Sequence, residues 1–382
     1  GLGVSYVEAG QGGGQLYKNL PFYFAQVVAT DQNAAPSALL RNGLETPVAP
    51  DRDNLAALSG GSPNAWDYNL QSTRVSQWSA GVQRELIKDL LVDVSYVGTR
   101  TNGLLSTINL NQSVPGAGAQ NPRRPYYQRN PNLVNLNYRT NYGAAKYHGL
   151  QVRVERRMTA GLSASLSYTF AKYMSNSNNI NGGGNGPPQD ARCTACEWGS
   201  MPEDRRNILV FNHVWELPFG AKRKYLTSGP VSWILGNWNL SGVWSASSGE
   251  RFTPTLAAAI SNSAGGGGDR PNRPADGNLP DGERTIDRWF DPTAFVAGPQ
   301  FTFGNAGRGI LIGPGDFTAN INVQRDFPIG ERYRAQFRWE MYNAFNRANF
   351  GNPNAAIGNA QVAQISSAAE ARTMQLALKF YF

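Results

Sequence analysis

The sequence predicts an all-β, antiparallel fold, and three observations carry that prediction. Apolar and polar residues alternate at a period of two in one segment after another. No apolar run approaches the roughly 18 residues that a membrane-crossing helix needs. The composition, with 42 Gly, 23 Pro, 17 Phe, 16 Tyr and 9 Trp among 382 residues, is that of a turn-rich, aromatic β protein. The carboxy-terminal segment shows the alternation plainly. Met374, Leu376, Leu378, Phe380 and Phe382 share one parity, while Thr373, Gln375, Ala377 and Lys379 share the other, so the segment is a strand with one apolar face.

The remaining elements follow in order. Residues 1–8 read as a strand, 21–29 as a further strand or part of a loop, and 31–72, rich in Asn, Ala, Pro and Asp, as a long loop. Residues 74–85, with Trp78, Ala80 and Val82 on one face, turn at 87–89 into a strand carrying Leu90, Val92, Val94 and Tyr96. A long loop spans 99–146. Leu150, Val152 and Val154 then oppose Gln151, Arg153 and Glu155, and a turn at 158–161 leads into Leu162, Ala164, Leu166, Tyr168 and Phe170, opposed by Ser163, Ser165, Ser167 and Thr169. Beyond a loop at 173–206 come 207–217 and 238–247, joined by a connection that holds Lys222, Arg223 and Lys224. A loop at 248–315 precedes Phe317, Ala319, Ile321 and Val323. These form a hairpin, through the Pro328- and Gly330-containing connection 326–332, with Tyr333, Ala335, Phe337, Trp339 and Met341. A loop at 346–370 precedes the last strand.

Two-faced strands suit a sandwich or a barrel, and the connections separate them. From residue 73 onward the connections run short, long, short, long. That is the habit of membrane barrels, which place short turns on one side and long loops on the other, whereas a sandwich mixes lengths at both ends. Tyr96, Tyr147, Tyr173, Trp215, Phe219, Trp238, Tyr333 and Tyr381 fall near strand ends, where aromatic girdles form. The expected architecture is an antiparallel transmembrane β-barrel occupying 1–382 as one barrel domain. Ten or eleven strands are counted, with the carboxy-terminus on the short-turn side.

The search for chemistry excludes most function classes. The net charge of +8 is interleaved along strands and loops with no basic run longer than Lys222–Lys224, which argues against nucleic-acid binding. With only His148 and His213 in the chain, a Ser-His-Asp triad or a His-rich metal site has too few parts, and there is no phosphate-cradling glycine motif. No enzyme activity, cofactor or metal is expected. Cys193 and Cys196 fit half a zinc site, a redox pair or a small loop disulfide, the last favoured on an outer loop in an oxidising compartment. Asp276, Asn278, Asp281 and Glu283 offer a weak set of Ca²⁺ oxygens on what otherwise reads as a solvated loop. Arg153, Glu155, Arg157, Arg334, Arg338 and Glu340 all lie on the polar parity of their strands and are the lumen-facing candidates. Pairing between neighbouring strands accounts for each of them singly.

A resemblance then adds to this reading. The segments V-S-Q-W-S-A-G-V-Q-R-E-L (75–86), V-S-Y-V-G-T-R (94–100), Y-H-G-L-Q-V-R-V-E-R-R (147–157), S-Y-T-F-A-K (167–172), D-R-R-N (204–207), E-L-P-F-G (216–220), W-F-D-P-T-A-F (289–295), G-N-A-G-R (304–308), G-P-G (313–315) and Y-N-A-F-N-R-A-N-F (342–350), in this order, resemble the carboxy-terminal part of the barrel of Oar-like TonB-dependent outer-membrane receptors. Those proteins also carry a carboxypeptidase-regulatory-like amino-terminal domain and a plug. Neither is recognised here, nor are a TonB box or a signal peptide, so the chain is expected to be part of a longer protein. Barrels of that family resemble the type with about 22 strands, so the resemblance implies a partial barrel, about half of one. The resemblance implies a transporter in the cell outer membrane, with long loops outside and the carboxy-terminus in the periplasm. It would move a large solute such as a siderophore, oligosaccharide or peptide, by uptake or export, with energy from a TonB-type inner-membrane complex acting on the plug. It also implies that Phe380 and Phe382 are the signal read by the outer-membrane barrel assembly machinery, and that lipid surrounds the wall. The alternative is a non-transporting adhesin or a passive porin-like barrel.

Overall fold

The computed structural model describes residues 1–7, 19, 43, 62–177, 187–220, 223–330 and 332–382. Ten strands run as a meander: β1 (Leu2–Val7), β2 (Thr73–Ile87), β3 (Leu90–Asn109), β4 (Asn137–Thr159), β5 (Leu162–Ser175), β6 (Asn207–Glu216), β7 (Trp238–Ser247), β8 (Asp316–Ile329), β9 (Tyr333–Tyr342) and β10 (Thr373–Tyr381). Each pairs antiparallel with its neighbour in sequence, and the sheet does not close on itself. Among the described residues the outer edges of β1 and β10 therefore have no strand beside them. The sheet also takes on two short strands, Asn64–Trp66 alongside β4 and Gly199–Ser200 alongside β5. The expectation for 21–29 lies outside the described residues.

Turn chemistry follows from the residues. Thr159 pairs with Leu162, leaving a two-residue loop in which Ala160 (φ 52°) and Gly161 (φ 81°) both take the left-handed conformation that matches strand twist. A Cβ on Gly161 would stand 2.9 Å from the Glu216 carbonyl oxygen. Glycine is required there twice over. Pro328 lies inside β8, opposite Arg334 of β9, in the stretch beyond Arg325 where β7 has already ended. Its missing N–H therefore faces no partner strand.

The loop expected at 99–146 is shorter than the sequence suggested. β3 continues to Asn109 and β4 begins at Asn137, with register shifts on either side of Leu104. Each shift exchanges which side chains share a face, so the period-two signal is lost although the ladder continues. The connection at 218–237 also differs from expectation, because it contains a short helix, α1 (Pro230–Leu235).

Because the strands form a meander, connections alternate between two rims. One rim carries the turns at 88–89 and 160–161, the described parts of 330–332 and 217–237, and the carboxy-terminus. The other rim carries 110–136, the described parts of 176–206, 248–315 and 343–372, and the buried apolar core of the described residues lies there. Phe290, Ala294, Phe295, Leu311 and Ala363 pack together, with Phe252, Ile310, Ile357 and Val362 around them. Meanwhile the apolar parity of the sheet, including Val82, Val94, Phe170, Leu376, Leu378 and Phe380, is exposed. The loops form a dome with its own interior, and the wall beneath has none.

Polar groups lock the dome together. Arg270 donates through both terminal nitrogens to Glu197, at 2.9 and 3.0 Å, and Arg308 pairs with the same carboxylate. Glu197 is 1% exposed and each arginine about as well buried. Burial pushes the Arg308 guanidinium below its usual range, an effect that Glu197 opposes. Cys193 and Cys196 are joined by a disulfide that closes the turn immediately before Glu197. Gln189 adds a further tie, donating to the Gly304 carbonyl and accepting from Arg270 N. Glu197→Gln leaves two buried guanidinium groups without their counter-charge, at an expected loss of about 3–5 kcal/mol in dome stability. Limited trypsin digestion of the folded full-length protein should then cut within 248–315 much faster than in the parent, while Glu203→Gln, at an exposed site, stays like the parent. Equal cleavage for Glu197→Gln and parent would show that the triad does not hold the loops.

Candidate functional site

The two faces of the sheet can be read directly from register. One row runs Ser163, Val214, Ser241, Asn322, Glu340, Gln375 across β5 to β10, and the next polar row runs Glu155, Ser165, Asn212, Val243, Asn320 across β4 to β8. Between them, on the opposite face, lies Ala164, His213, Gly242, Ile321, Met341, Met374. Adjacent residues project to opposite sides, so the rows belong to two different surfaces.

A groove of about 430 Å³ lies on the polar face, lined by Arg153, Glu155, Ser165, Asn212, Asn320, Asn322 and Glu340 among others. Residues from six successive strands share its walls, which requires the sheet to curve around it. The polar face is the concave one. Arg153 and Glu155 pair at 2.7 Å, and Arg338 approaches Glu340 at 3.8 Å. Asn322 donates to Ser241 Oγ at 3.1 Å and leaves its buried carbonyl oxygen without a hydrogen-bond partner. Exposed pairs of this kind contribute about 0.2–1 kcal/mol each. The groove is thus a lining of amides, hydroxyls and balanced charges suited to wet contact with a polar solute, and no nucleophile–base pair stands in it.

The six charged candidates are distributed unevenly. Arg153, Glu155 and Glu340 line the groove. Arg338 borders it through Glu340, and Arg334 lies nearer the short-turn rim, 4.0 Å from Asp326 and over the Tyr381 ring at 4.2 Å. Arg157 falls past Arg156, where the β4–β5 register breaks, and its backbone N–H is donated to the Asp89 carbonyl in the neighbouring turn. It sits at the rim, outside the groove. The asparagines were not singled out by sequence, because only the strand pairing shows that Asn212, Asn320 and Asn322 converge.

The other candidates lie elsewhere. Asp276 accepts from Arg273 and Asn278, Asp281 pairs with Arg284 at 2.9 Å, and Asn278 bonds the backbone of Ile310 and Ile312. Among the described residues no three His, Cys, Asp or Glu side chains gather as a metal-holding group. His148 and His213 both stand on the apolar parity. Tyr96 Oη lies 2.6 Å from His148 Nδ1, and His213 packs edge-on to Phe211 and Trp244. Phe380 pairs with Ala335, and Phe382 is exposed at the end of β10.

No curated protein sequence matches this chain. Among solved structures, the outer membrane transporter YddB from Escherichia coli aligns with a TM-score of 0.44 and 9% identity, over 84% of this chain and 34% of its own. The FrpB iron transporter from Neisseria meningitidis gives 0.39 and 11%, over 85% and 34%. The ferric-catecholate import receptor Fiu from Escherichia coli K12 gives 0.39 and 10%, over 100% and 32%. The chain thus spans about a third of the length of these structures. Residues 1–375 match the outer membrane beta barrel domain, and the chain belongs to that family.

Proposed function

We propose that this chain is the wall of an Oar-like TonB-dependent outer-membrane transporter, whose lumen admits a large solute such as a siderophore, oligosaccharide or peptide. The observation that carries the proposal is the pair of unlike faces on one curved sheet, a polar groove on the concave side and exposed aliphatic and aromatic side chains on the other. An outer-membrane barrel places water inside and lipid outside, so the concave face is the lumen and the convex face the lipid boundary. Two strand edges that have no partner among the described residues support a barrel completed by further strands, which gives a lumen wide enough for a plug. In this reading the short-turn rim is periplasmic, the dome is extracellular, and a TonB-type complex drives solute passage by moving the plug. The assembly machinery reads Phe380 and Phe382.

The reading is tested with the full-length protein in planar lipid bilayers. A plugged transporter is silent under native conditions and opens in concentrated urea to a wide, weakly selective pore. Replacing both Glu155 and Glu340 by Lys should shift that pore toward anions. Conduction without urea would establish a passive porin instead, and silence under both conditions an adhesin.

The lipid boundary has its own test. Leu378→Arg places a guanidinium against hydrocarbon near mid-strand, at about 2–4 kcal/mol, whereas Lys379→Arg remains in the wet lumen. Heat-modifiable protein in the outer-membrane fraction should fall for the first variant and match the parent for the second. Deleting Phe382 should lower assembled protein as well, although its side chain packs against little. Equal yields for the two arginine variants would remove the assignment of faces.

A further inference from the structure

Of the four connections on the short-turn rim, three join strands only two or three residues apart, and the described part of the fourth, 217–237, is built like a small structure of its own. Its two limbs are stitched at the base by Leu217 N donating to the Trp238 carbonyl and Asn237 N to the Phe219 carbonyl, both at 2.8 Å. Just beyond, the chain touches itself at Gly220 and Gly236, where a Cβ on Gly236 would come 2.5 Å from Gly220 Cα. Only a glycine pair permits that neck.

The neck places α1 against a particular face. The carbonyl of Ile234, in its last turn, accepts from Trp238 Nε1 at 3.1 Å and from Arg325 Nη1 at 2.6 Å, and Arg325 Nη2 donates to the Trp233 carbonyl. Trp238 and Arg325 pair across β7 and β8, and both lie on the convex, apolar parity with Leu240 and Val323. The helix is therefore clamped over the convex face, away from the groove. Arg325 is only 6% exposed, surrounded by the rings of Phe327, Trp238 and Trp233 at 4.5, 5.7 and 5.9 Å, and its Nε has no hydrogen-bond partner. A cation on this parity is otherwise misplaced. Its two terminal nitrogens bind the open carbonyls that end α1, which is where a helix attracts positive charge.

Held in this way, α1 points its apolar residues away from the protein. Trp233 is 71% exposed and Ile234 57%, with Val231 and Leu235 beside them. The patch continues the convex band of Trp215, Trp238 and Phe337, and exposed Lys224, its ammonium over the Tyr225 ring, stands on the same connection. Apolar residues flanked by Trp and Lys at the end of a membrane span are the pattern of an interfacial element. Continuity with the convex band identifies what covers it. We propose that α1 is a membrane-interface anchor, with Trp233 and Ile234 immersed at the edge of the leaflet on the short-turn side and Lys224 at the level of anionic lipid phosphates.

The proposal rests on the convex face being the lipid boundary, and its test separates the two. In the full-length protein, Ile234→Cys and, separately, Leu378→Cys are spin-labelled, with the parent protein labelled as the background control; Cys193 and Cys196 are held in a disulfide. Each is reconstituted into vesicles of phosphatidylethanolamine and phosphatidylglycerol. Collision with oxygen several-fold above collision with a water-soluble nickel complex is expected at both sites. An aqueous signal at 234 with a hydrocarbon signal at 378 overturns the anchor alone. An aqueous signal at both overturns the lipid boundary and the anchor with it. A label at 234 shielded from both reagents shows a protein occupant and also overturns the proposal. Arg325→Leu should release the helix, so that the label at 234 loses its oxygen preference while 378 keeps it; retention at 234 would remove Arg325 from the clamp. Replacing phosphatidylglycerol by phosphatidylcholine should make the label shallower, and Lys224→Gln should abolish that dependence. A depth indifferent to the anionic lipid would remove the headgroup contact.

Discussion

The wall of this protein is one strand thick, and everything else follows from that constraint. Every backbone N–H and C=O in a membrane wall must be satisfied within the sheet, because neither lipid nor a second layer can do it. A single layer also has no interior, so its two faces answer to two media. The row of Ala164, Ile321, Met341 and Met374 and the row of Ser163, Ser241, Asn322 and Glu340 are separated by one residue along each strand. They nonetheless lie on opposite faces of the sheet. Curvature then distinguishes the faces further, gathering polar side chains into a groove and spreading the apolar ones apart.

Since the wall has no apolar interior between two layers, the clustered apolar core lies where chain is plentiful. The long connections contain the only dry cluster of the described residues, around Phe290 and Leu311, and its charged lock around Glu197. A carboxylate shared by two guanidinium groups leaves a net positive charge in a shielded place. That is tolerable because Arg270 meets the carboxylate with both terminal nitrogens and the Pro187 carbonyl accepts from Arg308 Nη2. The described parts of the loops above the wall are thereby tied to one another by buried contacts.

How much of this was legible in the sequence depended on how local the signal was. Strand identity and the alternation of rims came from period two and from loop length, which need no partner, and they hold from Thr73 to Tyr381. The upper parts of β3 and β4 were lost because the register shifts around Leu104 scramble parity while leaving pairing intact. The groove was half visible. Charged residues such as Arg153 and Glu340 stand out singly, whereas Asn212, Asn320 and Asn322 acquire meaning only once three strands are aligned. Arg325 was invisible for a different reason, since its partners are backbone carbonyls some ninety residues away and carry no side-chain signature.

The lock at Glu197 also sets an order of events. Its arginine partners lie 73 residues on, at Arg270, and farther still, at Arg308, beyond β6 and β7. Contacts over such separations form only after the intervening chain has found its place. Until the hairpin of β6 and β7 has joined the wall and the connection after it has folded back, Glu197 stays hydrated and the disulfide turn before it presents a carboxylate to water. The lock therefore depends on the strands of the wall, whose own ladders join sequence neighbours and can form without it.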